Sequence, residues 1–206
     1  MEVPILVLVG FVGPLFLVGF VVYWWATHVG RNRIADIWAA YARRRGFEFV
    51  PAEGEWPNRS APAVRWREGQ AEYRIEARGT EAFVSTAVVA ELAKPMDGEL
   101  VLRRATAADA GSERTGDPLL DARYAIRAEP RDLAPRLLTE DVKRALVGFD
   151  VGAGGSLAYQ RGQVKLSWSG AEENDARLDE ARGVVRRVLQ ALEPVVIGAA
   201  SAVPPQ

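Results

Sequence analysis

Apolar and polar residues follow three patterns along this chain, and each predicts a different kind of element. No charged side chain interrupts residues 3–26. As a helix those 24 residues extend about 36 Å, at ~1.5 Å per residue, more than the ~30 Å hydrocarbon core of a bilayer. Tyr23, Trp24 and Trp25 close the run, where amphipathic rings settle at the headgroup level. The segment therefore reads as a transmembrane helix kinked at Pro14. A cleaved signal peptide fits worse, because only Glu2 precedes the run and bulky aromatics end it. Arg31 and Arg33 follow at once, then Arg43, Arg44 and Arg45. Positive flanks stay cytoplasmic. The expected topology is a single-pass membrane protein with its N-terminus outside and its C-terminal domain in the cytoplasm. Tyr23, Trp24, Trp25, Arg31 and Arg33 would lie at the membrane interface, with the lipid bilayer as a partner.

The second pattern is helical. Ile34, Ile37, Trp38 and Tyr41 recur at three- and four-residue spacing, and Gly46 is a suitable stop. This stripe either packs on the domain behind it or lies on the membrane surface; packing is favoured because Phe47, Phe49 and Val50 lead straight on. Thr139 opens a short helix to about Val147, with Glu140 and Asp141 in its first turn. Near the C-terminus Leu178, Ala181, Val185, Val188 and Leu192 form a narrow stripe, widened by Val184 and Leu189. A capping box from Ser169 to Glu172 would start that helix and Pro194 would end it.

The third pattern is alternation, which marks half-buried strands. It places strands at 64–67, 71–78, 82–90, 99–103, 122–128, 156–160 and 163–169. Arg161 and Gly162 join the last two as a hairpin. Residues 51–62 form a loop whose Trp56 would cover the core edge. The fold class is therefore α+β: a transmembrane helix, then a curved antiparallel sheet of about seven strands packed by a long C-terminal helix, as in pleckstrin-homology-like or helix-grip folds. The expected divisions are an anchor (1–28), a juxtamembrane amphipathic helix (29–46), an α+β domain (47–194) and a tail (195–206).

Composition mainly removes chemistries. Net charge is −1, from 26 basic and 27 acidic residues, and the basic positions are interspersed with acidic ones. Nucleic acid is therefore not an expected partner. With no cysteine and the single histidine His28, no thiolate nucleophile, Ser-His-Asp triad or multi-His metal site can be built within one chain. No cofactor is implied. The lysines are Lys94, Lys143 and Lys165; the last faces away from Trp168 on its strand and should be solvated. The glycine-rich segment 151–155 lacks the lysine of a phosphate loop and leads into a strand rather than a helix.

One segment carries candidate chemistry. Asp117 and Asp121 lie four apart, with Glu113 nearby, and could hold a divalent cation or act as an acid–base pair. The structural alternative is that Asp117-Pro118 opens a turn and Asp121 caps it or pairs with Arg123. The run Gly116-Asp117, an apolar residue, Asp121 and the aromatic Tyr124, followed by Leu137-Leu138-Thr139 opening a helix, resembles a pattern in uncharacterised bacterial single-pass membrane-anchored proteins. Leu120 stands where that pattern has an aromatic. The resemblance implies a bacterial origin and a shared fold and brings no activity with it.

Three functional hypotheses follow. The first is a membrane-tethered cytoplasmic interaction module that binds a protein partner or the lipid surface. The second is a metal-binding protein or enzyme using Asp117 and Asp121. The third is a binder of a small apolar ligand between the sheet and the last helix.

Overall fold

A computed structural model describes residues 5–54, 60–80, 83–106, 109 and 114–200; within these, the side chains of 5–13, 23–32, 79–80, 83 and 193–200 are outside the description. The expected roles of Trp56, Tyr23, Trp24, Trp25 and Arg31 fall outside the described side chains. The chain opens with α1 (Ile5–Arg45), followed by β1 (Glu48–Val50), β2 (Ala63–Glu68), β3 (Ala71–Thr80), β4 (Phe83–Leu92) and β5 (Glu99–Arg104). Then come α2 (Pro118–Arg123), β6 (Tyr124–Glu129), α3 (Leu133–Leu137) and α4 (Glu140–Phe149). The hairpin β7 (Ser156–Gln160) and β8 (Gln163–Ser169) leads to α5 (Asp175–Ala200).

All eight strands form one antiparallel sheet in the order β1-β2-β3-β4-β8-β7-β5-β6. The α+β class with a large antiparallel sheet and a C-terminal helix holds. The strands number eight rather than about seven, because the three-residue β1 pairs with β2 at the sheet edge. The hairpin β7–β8 inserts between β4 and β5, so the connection after β4 must pass the width of two strands. Both residues of its turn, Arg161 and Gly162, have positive φ, the geometry that matches strand twist.

Register sorts the side chains into two faces. One cross-strand row runs Phe49, Val64, Ile75, Val88, Leu166, Leu157, Leu102 and Ile126. This is the inner face, and its residues from Val64 to Ile126 are buried. The row one residue away runs Glu48, Arg65, Arg74, Val89, Lys165, Ala158, Val101 and Arg127. Period-two alternation puts it on the opposite, outer face. The described helices share their buried cluster with the inner face: Trp38 and Tyr41 from α1, Leu120 from α2, Leu133 from α3, Val142 and Leu146 from α4. The α5 stripe Leu178, Ala181, Val184, Val185, Val188, Leu189 and Leu192 is buried throughout.

Helix boundaries depart from the sequence expectations in two places. No capping box forms at Ser169; Asn174 caps α5 instead, accepting from the Ala176 amide at 2.9 Å. Glu172 is drawn away to accept from the Trp168 indole at 3.0 Å and the Asn174 amide at 2.9 Å. The helix also continues through Pro194 to Ala200. Thr139 does cap α4, accepting from the Val142 amide.

The membrane anchor is the main correction. Among the described residues, no helix is long and apolar enough to cross a membrane. Within the apolar stretch of α1, side chains are described for residues 14–22. Leu15, Phe16, Leu17, Val18, Phe20, Val21 and Val22 are exposed there. The helix does not stop at a membrane edge but runs on as one element to Arg45. A single-pass membrane topology, with the domain placed in the cytoplasm, is therefore not supported. Arg33, expected among the headgroups, instead binds Glu173 at 2.6 Å. The stripe around Trp38 packs on the domain.

Candidate functional site

Asp117 and Asp121 come together, but as parts of a turn. Asp117 is the N-cap of α2, its Oδ1 accepting from the amides of Leu119 at 2.9 Å and Leu120 at 3.2 Å. Asp121 closes the loop ahead of the helix. Its Oδ1 accepts from the Thr115 amide at 2.8 Å and hydroxyl at 2.7 Å, and its Oδ2 from the Gly116 amide at 3.1 Å. Burial acts against the Asp121 carboxylate, but these donors outweigh it and hold its pKa below the ordinary value of 3.8. Arg123 turns away and donates to the Val147 carbonyl at 2.9 Å. Among the described residues no group of three carboxylates or histidines is placed to hold a metal. Three of the pair's four carboxylate oxygens already accept hydrogen bonds from backbone amides.

This geometry gives a testable sign. A lowered folded-state pKa means stability that is present above the unfolded value and lost as pH falls through the folded one. Asp121→Asn is expected to cost about 1–2 kcal/mol at neutral pH through its lost charged acceptor. Wild type and variant should converge in acid, below the ordinary carboxylate range. Urea unfolding at neutral pH and in acid measures both; equal stability at neutral pH would contradict the structural role.

Between the sheet and α5, where an apolar ligand would lie, the buried side chains of both belong to one cluster. Open grooves occur elsewhere. One of about 580 Å³ runs between α4 and α5 past Arg144, Gly148, Asp179 and Gly183. Another, about 420 Å³, lies beside Phe47, Arg65, Trp66 and Glu72.

The densest unassigned chemistry sits on the outer sheet face. Arg74 and Arg78 of β3 flank Glu76, which binds Arg74 at 3.2 Å and Arg78 at 2.5 Å. Arg74 also reaches Glu91 of β4 at 3.6 Å. Lys165 of β8 joins them across Val89. Contrary to the expected solvated position, Lys165 is half-buried. Burial lowers its pKa, the Arg78 charge adds to the effect, Glu76 offsets it and Arg74 adds again. The sequence shows the alternation of Arg74, Glu76 and Arg78 but not this convergence. That depends on β8 pairing with β4, a partner more than seventy residues away in the chain.

No protein-family model matches the chain, and no curated protein matches it by sequence. Its structure is similar to that of the mycobacterial trehalose monomycolate transport factor A, TtfA. The TM-score is 0.55 at 14% identity, and the match covers 79% of this chain and 96% of TtfA. At that identity the likeness to TtfA speaks for the fold alone.

Proposed function

We propose that this chain is a non-catalytic interaction domain that works by holding a partner protein on the outer face of its sheet. The observation that carries this reading is the division of the two faces. The described helices pack into the core with the inner face, while the outer face carries ordered charges across the strands. A sheet gripping its last helix is the finer description we adopt, since α5 touches the central strands β4 and β8. The carboxylates that would serve an enzyme are engaged by backbone amides in the Thr115–Asp121 turn.

Photo-cross-linking in the native host tests the proposal. A photoreactive residue at Val101, on the outer face, is expected to give a discrete cross-linked species. One at Leu119, which is exposed on α2, should give none. If Val101 and other outer-face positions yield no discrete species, the interaction reading fails.

A further inference from the structure

We propose that Lys165, Arg74 and Arg78 form a carboxylate-binding site on the outer face, and that its occupant is an acidic side chain of a partner protein. The inference rests on the interaction-domain reading and names the chemistry of its surface.

Placement comes first. Arg74 lies opposite Val89, and Val89 opposite Lys165. Two strand spacings separate the two cations by about 10 Å at the backbone, a gap that long side chains bridge. Val89 and its neighbour Ala87 on the same face are both 0% exposed, yet neither belongs to the main core cluster. Ala87 lies opposite Glu76 and Val89 opposite Arg74 and Lys165. The stems of these flanking residues cover the central strand while their charged ends gather above it.

Charge comes second. Across β1, β2, β3, β4 and β8 the outer face carries five cations, Arg65, Arg67, Arg74, Arg78 and Lys165, and four carboxylates, Glu48, Glu72, Glu76 and Glu91. Arg74 donates to Glu76 Oε2 and pairs with Glu91, and Arg78 pairs with Glu76, whose buried Oε1 accepts no hydrogen bond among the described residues. Among the described residues Lys165 has no hydrogen-bond acceptor or ion-pair partner, whereas Lys143 binds Glu140 at 2.8 Å. The cluster therefore keeps one surplus positive charge on a half-buried side chain whose protonated form is disfavoured by burial and by its arginine neighbours. An arriving anion would relieve that directly.

The class of anion follows from number and shape. One carboxylate balances one surplus charge, and its planar oxygens suit guanidinium donors. A phosphate calls for more charge and usually for free backbone amides; here the strand amides are used in the ladders. A small free acid would need a concave pocket to hold it. A flat sheet face instead suits a side chain presented by a larger surface.

The test uses the full chain labelled with ¹³C at the lysine ε-carbons. Lys94, Lys143 and Lys165 then give separate signals. The probe is a short blocked peptide of alternating glutamate and serine, with the glutamine–serine peptide and inorganic phosphate as comparisons. The glutamate peptide is expected to move the Lys165 signal alone and raise its pKa, and Arg74→Gln should weaken that binding roughly tenfold. The glutamine peptide should move nothing. No Lys165 shift, or equal shifts of all three lysines, overturns the proposal; so does a Lys165 response to phosphate but not to the peptide. Lys165→Met provides a second check: a variant that melts like wild type yet binds the peptide equally well also overturns it. If outer-face cross-linking succeeds while Lys165 stays silent, only the carboxylate site is wrong. If both fail, the interaction reading falls with it.

Discussion

Trp38→Ala is expected to lower the melting temperature by roughly 10 °C, the largest loss among the described side chains of α1. Trp38 is fully buried, and its indole donates to the Glu172 carbonyl at 2.9 Å. Truncating a buried tryptophan costs about 3–5 kcal/mol through lost burial and the cavity left behind. For a domain of this size each kcal/mol moves the midpoint by about 2–4 °C. One turn along, fully buried Tyr41 donates to Asp179 at 2.9 Å. Burial, and then that hydrogen bond, hold its phenol well above the ordinary range. These two aromatics seat the end of α1 on the start of α5. The surrounding ion pairs, Arg33 with Glu173 and Arg44 with Asp175, are largely exposed, so each should contribute less than about 1 kcal/mol. Thermal unfolding of Trp38→Ala beside Arg33→Ala separates the contributions. A Trp38→Ala melt that matches wild type would mean that α1 is not seated on the domain in solution.

The same helix shows how far sequence reasoning reaches. Ile34, Ile37, Trp38 and Tyr41 announced a packed face because a helix repeats every 3.6 residues whatever it packs against. The same period makes the α5 stripe readable, while the β7–β8 hairpin and the Thr139 cap are readable from their own turn and capping residues. The apolar run at 3–26 was not resolved by the same logic: hydrophobicity alone does not say whether a segment forms a separate span or the first part of one long helix. Glu172 shows another limit. Its spacing from Ser169 is right for a capping box, but the Trp168 indole competes for it, and that competition exists only once β8 and α5 meet. Asp117 and Asp121 were recognisable as a pair, yet both readings need carboxylates at that spacing. Only the positions of the Thr115 and Gly116 amides decide between cation and cap. The Lys165 cluster was beyond reach because it is assembled by register across β3, β4 and β8, and no local pattern encodes which strand lies beside which.

Gly155→Ala is expected to destabilise the fold by about 3 kcal/mol or more, at the upper end of what a single added methyl costs in a packed site. The glycine-rich segment before β7 invites a ligand explanation, but Gly155 has a steric one. A Cβ there would stand 2.8 Å from the Ser167 carbonyl oxygen and closer still to that of Val151. Both obstacles are backbone, and Ser167 is fixed in the ladder opposite Ser156, so no side-chain rotation can make room. Gly152, in the same loop, gives the contrast. Its φ is +71°, but a Cβ there meets nothing within 4 Å. Gly152→Ala should therefore cost only the strain of a left-handed conformation, about 1–2 kcal/mol. Urea unfolding of the two variants measures the difference. If Gly155→Ala is no worse than Gly152→Ala, β7 does not enter the sheet as tightly as described. If the predicted gap appears, glycine at 155 is explained by the close approach of three backbone segments, with no bound phosphate required.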